Sequence, residues 1–133
     1  RAAIKHWKAQ GLDFSRLFHV PDVDKDVARY QCEPQDHGLD KAVDHALIKQ
    51  AKAALQDKTP VQIDIPILNS NRSFGTLLSG ELARRYGLEG LPDDSIHIRA
   101  KGTAGQSLGA WLAQGITIEL AGEGNDYVGK GLS

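Results

Sequence analysis

From Leu39 to Asp57 the apolar residues Val43, Leu47, Ala51, Ala54 and Leu55 recur at three- and four-residue intervals. That spacing draws one apolar stripe along an amphipathic helix. Asp40 stands where an N-cap would, and Lys58-Thr59-Pro60 stops the helix. Val61-Gln62-Ile63-Asp64-Ile65 then alternates strictly, so the period falls to two and predicts a strand. Pro66 places that strand at a sheet edge or at its own end. Ile96-His97-Ile98 and Ile116-Thr117-Ile118 carry the same alternation and predict two more strands. A short helix is expected over Glu81–Tyr86, followed by a turn-rich segment from Gly87 to Asp94. Upstream, Arg1–Gln10 reads as a short helix ended by Gly11, Leu12–Tyr30 as an irregular connector around Pro21, and Gln31–Gly38 as a crossing segment.

The glycines repeat with the strands. Gly102 and Gly109 recur as Gly122 and Gly129, and the same 20-residue shift maps Ile96 onto Ile116 and Ile98 onto Ile118. Phe74-Gly75 also matches Leu108-Gly109, which suggests a third related unit. A strand plus a glycine corner at fixed spacing predicts stacked coils. Glycine reaches positive φ without a Cβ clash, and backbones about 4.8 Å apart leave little room at corners. The fold expected is therefore mainly β: a right-handed parallel β-helix, or solenoid, preceded by a helical connector. Gly75, Gly80, Gly102, Gly105, Gly109, Gly115, Gly122, Gly124, Gly129 and Gly131 are its expected structural glycines.

Composition narrows the function. The chain has 133 residues, with 16 basic against 17 acidic side chains and a formal net charge of −1. A dedicated nucleic-acid surface would need a basic excess. No apolar run nears the ~18 residues that span a bilayer, and the first residues lack the apolar core of a signal peptide. A single cysteine, Cys32, leaves no internal disulfide framework and fits a reducing cytoplasm. The chain starts at Arg1 and stops at Ser133 after Gly129-Lys130-Gly131, so both ends read as cuts through a longer polypeptide.

Several strings touch on chemistry. Gly124-Asn125-Asp126-Tyr127-Val128-Gly129-Lys130 fits a phosphate loop until Gly131, where that motif needs Ser or Thr for magnesium. Such a loop must also open a helix, which Gly131 disfavours. A nucleotide- or cofactor-binding module on this loop is the functional alternative, a solenoid corner the structural one. Cys32, His37 and His45 match no zinc spacing, and one cysteine cannot build a cluster. Asp93-Asp94 fits a solvated turn better than an acid–base pair, and His97 should point away from the core. Ser107 lies in a GxSxG string, yet no histidine follows it to complete a nucleophile elbow. Trp111, Tyr127 and Arg72 suit an interface; alternatively Trp111 packs inside a coil and Arg72 ties a turn. No catalytic, cofactor-binding or metal-ligating residue is assigned.

Taken together, Asp36-His37-Gly38-Leu39-Asp40-Lys41, Asn71-Arg72 with Gly75, Leu78-Ser79-Gly80-Glu81, Gly90-Leu91-Pro92-Asp93-Asp94, Gly102-x-x-Gly105-Gln106-Ser107-x-Gly109 and Gly122-x-x-Asn125-Asp126-Tyr127-Val128-Gly129-Lys130-Gly131 resemble the C-terminal glycine-motif (GXGXG) domain of the glutamate synthase large subunit. The likeness is strong over residues 36–133 and looser over 1–35. It implies a connector at 1–35 from an upstream flavin-binding barrel and a glycine-motif β-helix at 36–133, truncated at its C-terminal end. It also implies a parent enzyme that turns glutamine and 2-oxoglutarate into two glutamates with FMN, an iron–sulfur cluster and NADPH or ferredoxin. By this resemblance the domain is structural and carries no cofactor itself. Its expected partners are the amidotransferase and FMN-barrel domains of its own polypeptide, with a small NADPH-oxidising subunit beyond them; nucleic acid and membrane are not expected. A related domain occurs in formylmethanofuran dehydrogenases, but the Asp36–Lys41 string and the connector favour glutamate synthase.

Overall fold

A computed structural model describes residues 5–132. The chain divides into two compact units, Arg1–Gln35 and Asp36–Ser133. In the first, residues 1–4 of the expected N-terminal helix lie outside the described residues. The remainder of that segment forms short turns, with Ala9 N–H donating to His6 O and Gln10 N–H to Trp7 O. Trp7, Leu17, Phe18 and Tyr30 of this unit are exposed.

The second unit begins with a 3-10 turn at Leu39–Lys41. It continues with α1 (Asp44–Gln50), α2 (Lys52–Asp57), β1 (Val61–Ile67), α3 (Thr76–Tyr86), a 3-10 turn at Gly87–Glu89, β2 (Ile96–Thr103) and β3 (Ile116–Glu123). The single helix expected over Leu39–Asp57 is thus broken. Val43, not Asp40, precedes α1, and Ala51 at ψ 5° separates α1 from α2. The stripe survives the break: Leu47, Ala51, Ala54 and Leu55 are all buried. Backbone bonds from Ala51 N to Leu47 O and from Leu55 N to Ala51 O bridge it. α2 ends with Lys58 at φ 57°, its N–H on Ala54 O, so a lysine takes the left-handed place that glycine commonly fills.

The three strands form one sheet in the order β1-β2-β3, parallel throughout. Ile96 pairs with Ile116 and Gly102 with Gly122, so the 20-residue repeat sets the β2–β3 register. Ile63, Ile67, Ile96, Ile98, Ala100 and Ile116 point to the buried face, where they join Leu47, Phe74, Leu78 and Leu82. Burying each such branched or aromatic side chain contributes about 1.5–3 kcal/mol.

The mainly β, β-helical fold expected from the repeat is not what forms. The protein is a small α/β domain whose three-stranded parallel sheet stays open. Seven, six and eleven residues of α-helix balance seven, eight and eight of strand. The crossover from β1 to β2 runs through α3, which starts at Thr76 rather than Glu81 and takes in the residues expected to form a coil. After β2 and β3 the chain makes turns, and no second sheet forms among the described residues to close a coil. The repeat fixes pairing between neighbouring strands, but enclosing a core takes α1, α2 and α3.

Candidate functional site

The glycine-rich corners that follow each strand stack on one another. Ser73 N–H donates to Gln106 O at 2.9 Å, and Ser107 N–H to Asp126 O at 2.8 Å. Gly109 N–H donates to Phe74 O and Gly129 N–H to Leu108 O, each at 2.9 Å. Gly75, Gly109 and Gly129 all have positive φ. So do Ser73, Ser107 and Tyr127, two residues before each glycine, at 51°, 65° and 61°. Non-glycine residues in that region store strain, and the interlocked hydrogen bonds hold them there.

Elsewhere glycines are required by close approach. A Cβ at Gly102 would lie 2.2 Å from Ile67 O, and one at Gly122 only 1.8 Å from Gly102 O. Gly105 sits 2.6 Å, by the same measure, from the carbonyls of Asn69 and Asn71, and Gly115 is equally close to Leu91 Cβ. Gly131 lies against Trp111. Gly124 has no positive φ, and only the side chains of Val128, at 3.2 Å, and Leu120, at 4.0 Å, come near its Cβ position. Gly80 is different: it lies inside α3 with nothing within 4 Å of its Cβ position, so it marks no corner.

A buried carboxylate locks this region to the helices. Asp44, in the first turn of α1, is 3 % exposed. Its carboxylate accepts N–H bonds from Gly75 (3.0 Å), Leu77 (2.8 Å) and Leu78 (3.3 Å), capping α3 from 31 or more residues away. Thr76 Oγ1 donates to Ala110 O, and Ser79 Oγ receives Ala113 N–H. Sequence reasoning missed Asp44, because a cap that comes from another helix leaves no local signal.

The outer face of the sheet is polar. Arg99 donates through Nε to Asp64 Oδ1 at 2.8 Å and through Nη2 to Oδ2 at 3.0 Å. The Arg99 hydrogen bond holds the Asp64 carboxyl below the usual carboxylate range, and Asp64 pushes Arg99 up. His97 does face outward, with Nε2 3.3 Å from Glu119 Oε2 but no formed hydrogen bond. On α3, Glu81 pairs with Arg84 and Arg85; the Arg85 hydrogen bond leads in lowering its pKa.

The phosphate-loop string forms the third corner. N–H groups of Gly129, Lys130 and Leu132 donate to the carbonyls of Leu108, Tyr127 and Gly129. They therefore do not converge on an anion. Lys130 Nζ rests over the rings of Tyr127 and Trp111, at 5.0 and 6.0 Å. Ser107 is followed by turns rather than the helix an elbow needs. Asp94 accepts a 2.6 Å bond from Thr117 Oγ1, which ties the turn before β2 to β3. Trp111 is 59 % exposed rather than packed inside a coil. Among the described residues the Arg72 side chain ties no turn; its backbone N–H donates to Ser70 O. His45 Nε2 is 2.8 Å from Leu39 O, Cys32 is exposed, and no group of three metal-ligating side chains is assembled among the described residues. No described helix is long and apolar enough to cross a membrane.

Residues 44–133 match the family described as GXGXG motif. The chain is similar to the glutamate synthase [NADPH] large chain of Bacillus subtilis, with 44% identity over 132 residues, covering 98% of this chain and 8% of that protein. It is 47% identical over 107 residues to glutamate synthase [NADH] of Schizosaccharomyces pombe, covering 80% of this chain and 5% of that protein. Ferredoxin-dependent glutamate synthase 2 of Synechocystis is 33% identical over 135 residues, covering all of this chain and 8% of that protein. The chain thus spans less than a tenth of the length of these curated relatives.

Proposed function

We infer the role of this chain from one premise: it belongs to the GXGXG motif family, in the form carried by glutamate synthase large chains. It acts as a packing domain of such an enzyme, bracing the amidotransferase and flavin-barrel domains of a longer polypeptide. The overall reaction, glutamine and 2-oxoglutarate to two glutamates, belongs on this reading to those domains. One observation carries the assignment. The glycine-motif backbone groups bond to each other, corner to corner, and the closest glycines face carbonyls where a ligand-binding loop would leave space.

The residues present fit neither cofactor expected of the parent. An iron–sulfur cluster needs several cysteines and this chain has Cys32 alone, while the loop at 124–131 offers no phosphate cradle for FMN. The electron donor, whether a small NADPH-oxidising subunit or ferredoxin, is accordingly assigned to contacts outside this chain.

Gly115→Val in the intact large chain tests the role. A packing domain predicts that glutamate formation and thermal stability fall together, and that low temperature restores both. A variant that melts like the parent but has lost turnover would reject the scaffold reading.

A further inference from the structure

Two strings singled out in the sequence, Asp36–Lys41 and Asn71-Arg72, lie far apart in the chain, yet the fold brings them together. Side chains and backbone from His37 to Asp44, Asp40 excepted, and from Ser70–Ser73 and Thr76-Leu77 wall a groove of about 420 Å³, within the range of small-ligand sites. His37, Lys41 and Arg72 line it. Neither Lys41 nor Arg72 has an ion-pair partner among the described residues. The one acid in the wall, Asp44, is buried and already holds three backbone N–H groups. Asp36 bonds to Gly38 N–H and is not in the wall, and nor is Asp40. The groove therefore offers two unneutralised cations, beside an apolar flank of Leu39, Val43 and Leu77.

We propose that this groove binds a carboxylate group, gripped by Arg72 and Lys41. A guanidinium fork matches a carboxylate with two parallel N–H bonds, and the lysine adds a point charge. A single negative charge suits the site better than a phosphate. The α3 N-terminal N–H groups a phosphate would seek are already capped by the Asp44 carboxylate. The carboxylate has two possible sources: a free dicarboxylate, or a Glu or Asp side chain on a neighbouring polypeptide segment.

The test is calorimetry on the whole 133-residue chain at fixed ionic strength, with glutarate, an acetylated tetraglutamate peptide and inorganic phosphate as probes. Glutarate or the peptide should saturate. The double variant K41Q/R72Q should weaken that binding at least tenfold, and K130Q should leave it unchanged. Saturation by glutarate alone identifies a free ligand; saturation by the peptide alone identifies a docked segment. If neither saturates, if phosphate binds more tightly than both, or if K41Q/R72Q binds like the parent, the assignment fails. Should the double variant unfold, R72K keeps the charge and loses the fork. An unchanged Kd for R72K, together with binding insensitive to added chloride, would equally overturn it.

Discussion

Replacing Gly102 by alanine tests the stacking geometry directly. Gly102 sits in the central strand at φ 134°, and its Cβ position lies 2.2 Å from Ile67 O. A carbon–oxygen contact relaxes to about 3.3 Å, so the two backbones must part by about 1 Å. Ile67 cannot yield easily, because its side chain is 1 % exposed in the core. The unfavourable φ costs about 1–3 kcal/mol. Loosening two ladder bonds adds about 0.5–1.5 kcal/mol each. The sum, about 2–6 kcal/mol, is a large part of a small domain's usual stability of about 5–15 kcal/mol. Urea unfolding followed by circular dichroism should show the loss as a lower midpoint, and a thermal melt as a Tm lowered by at least about 8 °C. Gly80→Ala is the matched control. It adds the same methyl group in open space within α3 and should stabilise by about 0.5–1 kcal/mol. If Gly102→Ala unfolds within about 0.5 kcal/mol of the parent, or Gly80→Ala proves the worse of the two, close approach is not what these glycines serve.

Asp44→Ala removes the acceptor of three N–H groups at the start of α3 and should cost about 2–4 kcal/mol; a loss below 1 kcal/mol in a urea melt, an order-of-magnitude threshold, would show that α3 is capped otherwise. The Asp64 carboxyl has a lowered pKa in the fold, so its pairing with Arg99 stabilises above the unfolded value of 3.8 and fades as the pH falls through the folded one. The difference in urea midpoint between the parent and Arg99→Gln should therefore shrink from neutral pH to strongly acidic solution, and a constant difference would disprove the linkage. Both tryptophans, Trp7 and Trp111, are more than half exposed, so the folded chain should show the red-shifted emission of hydrated indole and ready quenching by iodide. A blue-shifted, protected spectrum would contradict that placement.

Local chemistry and distant chemistry were unequally legible in the sequence. The alternation at Val61–Ile65 and the stripe through Leu47 and Leu55 announce their buried faces, because side-chain direction follows the backbone period. The break at Ala51 went unannounced, since an alanine fits either side of a kink. Thr76–Gly80 looked like part of a coil because Phe74-Gly75 does match Leu108-Gly109 at the corner. The chain then departs into α3, where the Asp44 carboxylate takes its first free N–H groups. The groove between His37 and Arg72 was equally hidden, because its walls are some 35 residues apart in the chain.

The sequence by itself determined the register of β2 on β3. A 20-residue repeat of isoleucines and glycines puts like beside like, and only glycine tolerates a neighbouring carbonyl at the Gly102–Gly122 rung. It also determined which strand and helix faces are apolar. The tertiary structure alone decided that the strands remain an open sheet backed by helices. It alone decided, too, that Ser73, Ser107 and Tyr127 take left-handed conformations without being glycines. Both depend on hydrogen bonds and contacts between segments far apart in the chain, and a local pattern of residue types carries no record of which segment comes to lie against which.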